Sequence, residues 1–327
     1  MKKIFVLSVI ALLSAVLYAG EPFAKHTFPS ASITALEVNN IAGNITLTGT
    51  AGDKATVEVF VSGNNRMNDN SIKEMLNEYY TIDVHVAKEK LFVVVKHKKQ
   101  FSGQQELSIS FNISVPGQVS GKISSASGHI LISETSGDLY FTTASGHLVV
   151  DRVSGKIFGS TASGNIKLTN STDNVSLSTA SGNIQASNCE GSISLATASG
   201  NVVAENIIGA LKARSAIGNI KLKNISGNLK IIDEGESSRR RNIRRNIDVT
   251  MESVNEYVTI SNNSRNVNLT LPANHDYNLN IKAEKVKTSG LRDFRGKMDR
   301  ETLNGSVGSG GAKIEISRSQ QVGLSFK

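Results

Sequence analysis

The chain has 327 residues, a formal net charge of +8, no Trp, 5% aromatic residues and 39% hydrophobic residues. The absence of Trp and the small aromatic share argue against a compact core of large side chains and for an elongated stack of small ones. A single cysteine, Cys189, excludes an internal disulfide and a cysteine-rich metal cluster.

Lys2 and Lys3 precede an apolar stretch, Ile4 to Leu17, broken only by Ser8 and Ser14, and Ala19 follows. This is the pattern of a secretory signal peptide. We expect residues 1–19 to be that signal peptide and residues 20–327 to form one domain outside the cytoplasm, in the periplasm, the outer envelope or secreted. Leu17 stands where cleavage prefers a small residue, so a retained anchor is the alternative.

Residues 20–120 read as N-terminal strands and a cap. Apolar residues alternate around Gly43-Asn44 (Ile41, Ile45, Leu47) and again at Val57, Val59 and Val61, which predicts strands. After the polar stretch Ser62 to Asn70, Ser71 and Glu74 form a capping box that opens a short helix with Ile72, Met75, Leu76 and Tyr79 on one face. A hairpin across Lys88-Glu89-Lys90 follows, then a strand from Leu107 that stops at Pro116.

Residues 121–232 repeat. Gly128, Gly146, Gly164, Gly182, Gly200 and Gly218 are 18 residues apart, and a second series at Gly137, Gly155, Asp173, Gly191, Gly209 and Gly227 lies nine residues further on. A fixed period of this size marks a solenoid. Two residues after each first-series glycine stand Ile130, Leu148, Ile166, Ile184, Val202 and Ile220; the second series is followed by Leu139, Ile157, Val175, Ile193, Leu211 and Leu229. Period-two alternation predicts two short strands per 18-residue turn, facing each other across a thin core. Glycine at the corners predicts left-handed backbone. The alanine two before each first-series glycine predicts a corner with room for a methyl group. Asn165, Asn183, Asn201 and Asn219 follow those glycines and could stack as a ladder. A hexapeptide helix fails because Thr172 and Ser178 fall where it needs aliphatics. A calcium-binding nonapeptide roll fails because the aspartates form no column.

Residues 233–246 break the period as a charged excursion with five arginines, Arg239, Arg240, Arg241, Arg244 and Arg245. Residues 247–327 resume as strands and a C-terminal cap, with Gly310 to Ser317 read as a closing turn.

The repeated S-G-[NDH]-[IVL] corners, the strand LSISFNISVPG and the segment VNLTLPANHDYNLNIKA resemble a bacterial cell-envelope family, the adhesin-like toast-rack β-solenoids, related to autotransporter-adhesin head domains. The resemblance spans roughly residues 36 to 317. It implies an all-β, right-handed, single-chain β-solenoid with irregular capping strands at both ends, and roles in adhesion, envelope scaffolding or stress sensing.

No catalytic set emerges. The A-S-G serines (Ser127, Ser145, Ser163, Ser181, Ser199) recur in five successive turns, whereas a nucleophile occurs once. His129 and His147 share a corner position in adjacent turns; paired imidazoles can hold Zn or Cu, but no third ligand accompanies them, so they read as solvated corner residues. Cys189 shares a column with Val153, Ile207 and Ile225 and reads as a small apolar residue. Tyr140 and Phe158 are outward neighbours, either a sticky patch or a pair covered by N-terminal strands; covering is the favoured reading. We expect no metal and no cofactor. The arginine cluster is the one candidate binding element, for anionic lipid or polysaccharide. Nucleic acid is excluded by the signal peptide. The reading is a non-enzymatic, adhesin-like protein or envelope scaffold or sensor that offers a rigid surface. A self-assembling solenoid element and a solenoid carbohydrate-active enzyme are the alternatives.

Overall fold

The computed structural model describes residues 21–64, 67–99, 106–232 and 245–327. The segment expected to be a signal peptide therefore lies outside the described residues, as do Arg239, Arg240, Arg241 and Arg244. The N-terminal part comprises β1 (Ala24–Pro29), β2 (Ala35–Ala42), β3 (Ile45–Thr50), β4 (Lys54–Ser62), α1 (Asp69–Tyr79), β5 (Tyr80–Ala87), β6 (Lys90–His97) and β7 (Ser108–Pro116). Then come β8 (Ser120–Ser127), β9 (Ile130–Ser133), β10 (Leu139–Thr143), β11 (Leu148–Asp151), β12 (Lys156–Thr161), β13 (Ile166–Thr169) and β14 (Thr172–Thr179). Longer strands follow: β15 (Ile184–Thr197), β16 (Val202–Ser215), β17 (Ile220–Ile232), β18 (Asn246–Leu271), β19 (Tyr277–Ser289), β20 (Phe294–Met298), β21 (Thr302–Val307) and β22 (Ala312–Phe326). The fold is thus mostly β, with one α-helix among the described residues.

Parallel pairing follows the repeat. Leu148 pairs with Ile166, Ile166 with Ile184, Ile184 with Val202 and Val202 with Ile220. In the second series Leu139 pairs with Ile157, Ile157 with Val175, Val175 with Ile193 and Ile193 with Leu211. Each step is the sequence period. These residues are at most 2% exposed and belong to one hydrophobic cluster that runs from Ile33 to Phe326. Burying each such aliphatic stabilises by about 1.5–3 kcal/mol. The backbone amides and carbonyls of each strand are satisfied by the strands on either side, so a polar composition costs little.

The glycines do two different jobs. In the second series, Gly137, Gly155, Gly191, Gly209 and Gly227 have φ from 102° to 125°, the left-handed backbone expected. In the first series only Gly128 does. The others are needed for close approach: a Cβ on Gly146, Gly164, Gly182, Gly200 or Gly218 would lie 1.7–2.1 Å from the carbonyl oxygen of the glycine in the preceding strand pair. The corner residue that is buried is also not the expected alanine. Ala144, Ala162, Ala180 and Ala198 are exposed. The threonine just before each of them is buried, and its hydroxyl donates to the preceding glycine's carbonyl: Thr161 to Gly146 (2.9 Å), Thr179 to Gly164 (2.9 Å), Thr197 to Gly182 (2.8 Å). The same oxygen accepts from the glycine amide three residues on. A hydroxyl clasp, rather than a methyl in a tight space, closes the corner.

Both ends depart from the regular pattern. β2 and β3 sit before the repeat, β2 pairing with β8 and β3 with β9, so Gly43-Asn44 occupies the same corner column as Gly128-His129. β1 and β4, β4 and β7, and β5 and β6 pair antiparallel and close that end. The helix begins at Asp69, and its N-cap is Asn68, whose Oδ1 accepts from the Ser71 amide at 2.9 Å. The expected Ser71–Glu74 box is therefore one turn inside the helix. The predicted hairpin is present, with Lys88 (φ 49°) and Glu89 (φ 59°) at its tip. At the other end β22 is not a closing turn: it lies between β18 and β19, parallel to both, and the hairpin of β20 and β21 lies beyond β19.

Candidate functional site

Three features rise above the regular stack: an outward aromatic pair, a corner ladder and a buried arginine. The aromatic pair sits where β10 and β12 run parallel, with Tyr140 paired to Phe158. Alternation turns both side chains outward, since Leu139 and Phe141, and Ile157 and Gly159, face in. Inside, Gly159 leaves space for the Phe141 ring, which a Cβ there would meet at 2.3 Å. Outside, the two rings lie parallel, 5.1 Å apart and inclined by 4°. They remain 44% and 43% exposed, so the expectation that N-terminal strands cover them is overturned. The reason is topological. β8 carries Lys122 into the place beside Tyr140, and the capping strands continue the sheet instead of folding over it. On the far side Phe158 neighbours Ser176, which is too small to cover the second ring face.

The corner ladder runs along the first-series glycines. The His129 amide donates to Asn44 Oδ1, the His147 amide to His129 Nδ1 and the Asn165 amide to His147 Nδ1, all at 2.9 Å. Asn183, Asn201, Asn219 and Asn246 continue it, each amide donating to the preceding asparagine Oδ1 at 2.7–2.8 Å. The imidazoles of His129 and His147 stack at 4.7 Å, inclined by 3°. Burial, and secondarily the charge of His147, hold His129 below the ordinary histidine value. Both Nδ1 atoms are occupied by backbone amides and so are not available as paired metal ligands. Among the described residues no group of three or more His, Cys, Asp or Glu could hold a metal ion.

A second ladder was not anticipated. Asn170, Asn188, Asn206 and Asn224 all have left-handed backbone, and from Asn188 onward each side-chain amide donates to the asparagine before it. The signal was present as four asparagines at the sequence period. At its start, buried Asp151 accepts from Thr169 Oγ1 (2.6 Å) and Asn170 Nδ2 (3.0 Å), and Arg152 bonds to Glu134. Cys189 packs within the stack as expected, its Sγ 3.2 Å from the Ser187 carbonyl and its thiol pushed up by burial. The A-S-G serines are exposed corner residues.

Of the five arginines only Arg245 lies within the described residues, and it is 1% exposed. By register it stands in the first-series glycine column, since Ile220 pairs with Ile247. Its guanidinium donates to the carbonyls of Ser215 and Ala216 (both 2.6 Å) and of Asn263 (2.8 Å). In the regular stack backbone amides fill the first two places, as Ala198 does for Thr179 and Ser199 for Ala180. Arg245 thus serves two carbonyls of the kind that backbone amides serve in the regular corners, and its side chain points into the protein rather than toward an external anion.

Among solved structures, three distant relatives are similar to this chain. A putative cell adhesion protein of Clostridium sporogenes is 13% identical, covering 94% of this chain and all of its own, with a TM-score of 0.21. A putative adhesin of Parabacteroides distasonis is 13% identical, covering 76% of this chain and 90% of its own, at 0.37. One of Bacteroides fragilis is 13% identical, covering 92% and 95%, at 0.35. No curated protein matches the chain. The model of one family, Toastrack DUF4097, matches residues 33–238 and 156–320, nearly the whole described chain, and the protein belongs to that family.

Proposed function

We propose that this protein is a non-enzymatic, extracytoplasmic, adhesin-like protein whose stacked sheet offers a rigid face to a partner in the cell envelope. The observation that carries this reading is the exposed Tyr140–Phe158 stack. Two large aromatic rings on a flat sheet face, in a chain poor in aromatics, gain by meeting another surface. Lys122 and Lys156 beside them supply charge, and the exposed Thr142 a hydroxyl, for the rim of such a contact. The finer architecture belongs to the same reading. The 18-residue offset of paired strands supports a coil of 18 residues and two strands per turn, and the family resemblance supports a right-handed one. Residues 1–19 are its export signal and residues 20–327 its working domain. Any anion-binding role of the excursion rests on Arg239, Arg240, Arg241 and Arg244, because Arg245 is committed to the backbone.

The test is retention on isolated envelope material of the unaltered chain against a Tyr140→Ser, Phe158→Ser variant. Both side chains point outward, so the variant keeps its circular dichroism and its melting midpoint. The expected result is at least about a tenfold loss of retention, since a few central aromatics dominate such contacts. Equal retention refutes the surface assignment, and turnover of an envelope polysaccharide refutes the non-enzymatic reading.

A further inference from the structure

Seven successive amides of the corner ladder, from His129 to Asn246, each need a side-chain acceptor in the preceding corner. Five of those acceptors are asparagine carbonyls, which no physiological pH alters. The other two are imidazole Nδ1 atoms, on His129 and His147. An imidazole accepts at Nδ1 only when that nitrogen carries no proton, so the geometry fixes both rings as neutral with the proton on Nε2. Protonation places an N–H at Nδ1, aimed at the incoming backbone N–H. The hydrogen bond is lost and two donors confront each other. We propose that the His129–His147 pair makes this ladder a proton-sensitive joint, which loosens the corners of His147 and Asn165 on mild acidification while the asparagine corners beyond stay closed.

The position of the pair supports this. Its two rungs lie where the N-terminal cap strands meet the regular stack, because Asn44 belongs to the corner between β2 and β3. The residues that adjoin the pair in the ladder are Asn44 before it and Asn165 after it, both uncharged. The titratable group acting on His129 is His147, and its charge opposes protonation of its neighbour. Among the described residues no carboxylate acts on His129. The sign follows. His129 sits below the ordinary histidine value of about 6.5, so the neutral, bonded form contributes its full stability above that pH. The contribution falls away as the pH drops from there through the folded-state value.

The experiment uses the full chain, labelled with ¹⁵N, and measures amide hydrogen exchange at about pH 7.5 and about pH 5. Rates are corrected for the intrinsic effect of pH. The amides of His147 and Asn165 are expected to lose about tenfold in protection relative to those of Asn183, Asn201 and Asn219, whose acceptors do not titrate. Imidazole ¹⁵N shifts at the higher pH are expected to show the Nε2–H tautomer on both rings. A His129→Asn, His147→Asn variant makes the ladder asparagine throughout, the residue that the next corners already use. It is expected to fold and to lose the selective acid response. A proton on Nδ1 at the higher pH, equal responses at all five amides, or an unchanged acid response in the double variant overturns the proposal.

Discussion

Gly182 shows how little freedom a single position in this stack has. A Cβ there would lie 1.8 Å from the Gly164 carbonyl oxygen, and the approach is of backbone to backbone, so no flexible side chain can yield. We expect Gly182→Ala to cost on the order of 4 kcal/mol or more, read as a fall in the urea midpoint. Gly52→Ala, with nothing within 4 Å of the added methyl, is expected to stay within about 0.5 kcal/mol of the parent. The same carbonyl that excludes the methyl receives the Thr179 hydroxyl at 2.9 Å. Thr179→Val keeps the shape and removes the donor, leaving the buried Gly164 carbonyl and Gly182 amide short of a partner. A loss of about 1–3 kcal/mol in chemical denaturation is expected. Periodic glycine in the sequence marks where corners fall but not why. Left-handed backbone and close approach leave the same letter, and only the stacked geometry separates them.

At the level of the strand, the sequence period carried most of the architecture. Inward aliphatics at fixed spacing predicted which residues pair, because a parallel stack puts like residues over like. What the period could not carry is whatever happens once. The period breaks before β18, and there one side chain, Arg245, reaches the Ser215 and Ala216 carbonyls. Within a run of arginines that residue looked like its neighbours. Its place two residues before Ile247, in the glycine column, is the distinguishing sign. Arg245→Met is expected to lower stability by about 1.5–3 kcal/mol, with amides of β17 and β18 losing protection before those of β11 and β13. Arg245→Lys is expected to recover little of this, because a point ammonium lacks the guanidinium fork. The exposure of Tyr140 and Phe158 was likewise illegible. Whether an outward pair is covered depends on where chain segments distant in sequence come to rest.

Across the whole molecule, an open stack of parallel strands must end somewhere, and an unfinished end invites pairing with another copy. Here both ends finish in antiparallel strands. Among the described residues β5, with Asp83 and His85 outward, pairs only with β6. β20, which carries Arg295 and Lys297, pairs among the described residues only with β21. Charged outward residues on short edge strands oppose continued growth. We therefore expect sedimentation to give a monomer whose mass does not change with concentration. Concentration-dependent growth in mass would favour the self-assembling alternative instead. The position of β22 adds a constraint on synthesis. It follows β19 in the chain yet lies between β18 and β19 in space, so β18 can join the stack on β17 but β19 cannot join it while β22 is missing. The repeats behind can settle as they emerge from the ribosome, but this end waits. Until residues 312–326 arrive, the margin of β18 that β22 later covers stays bare.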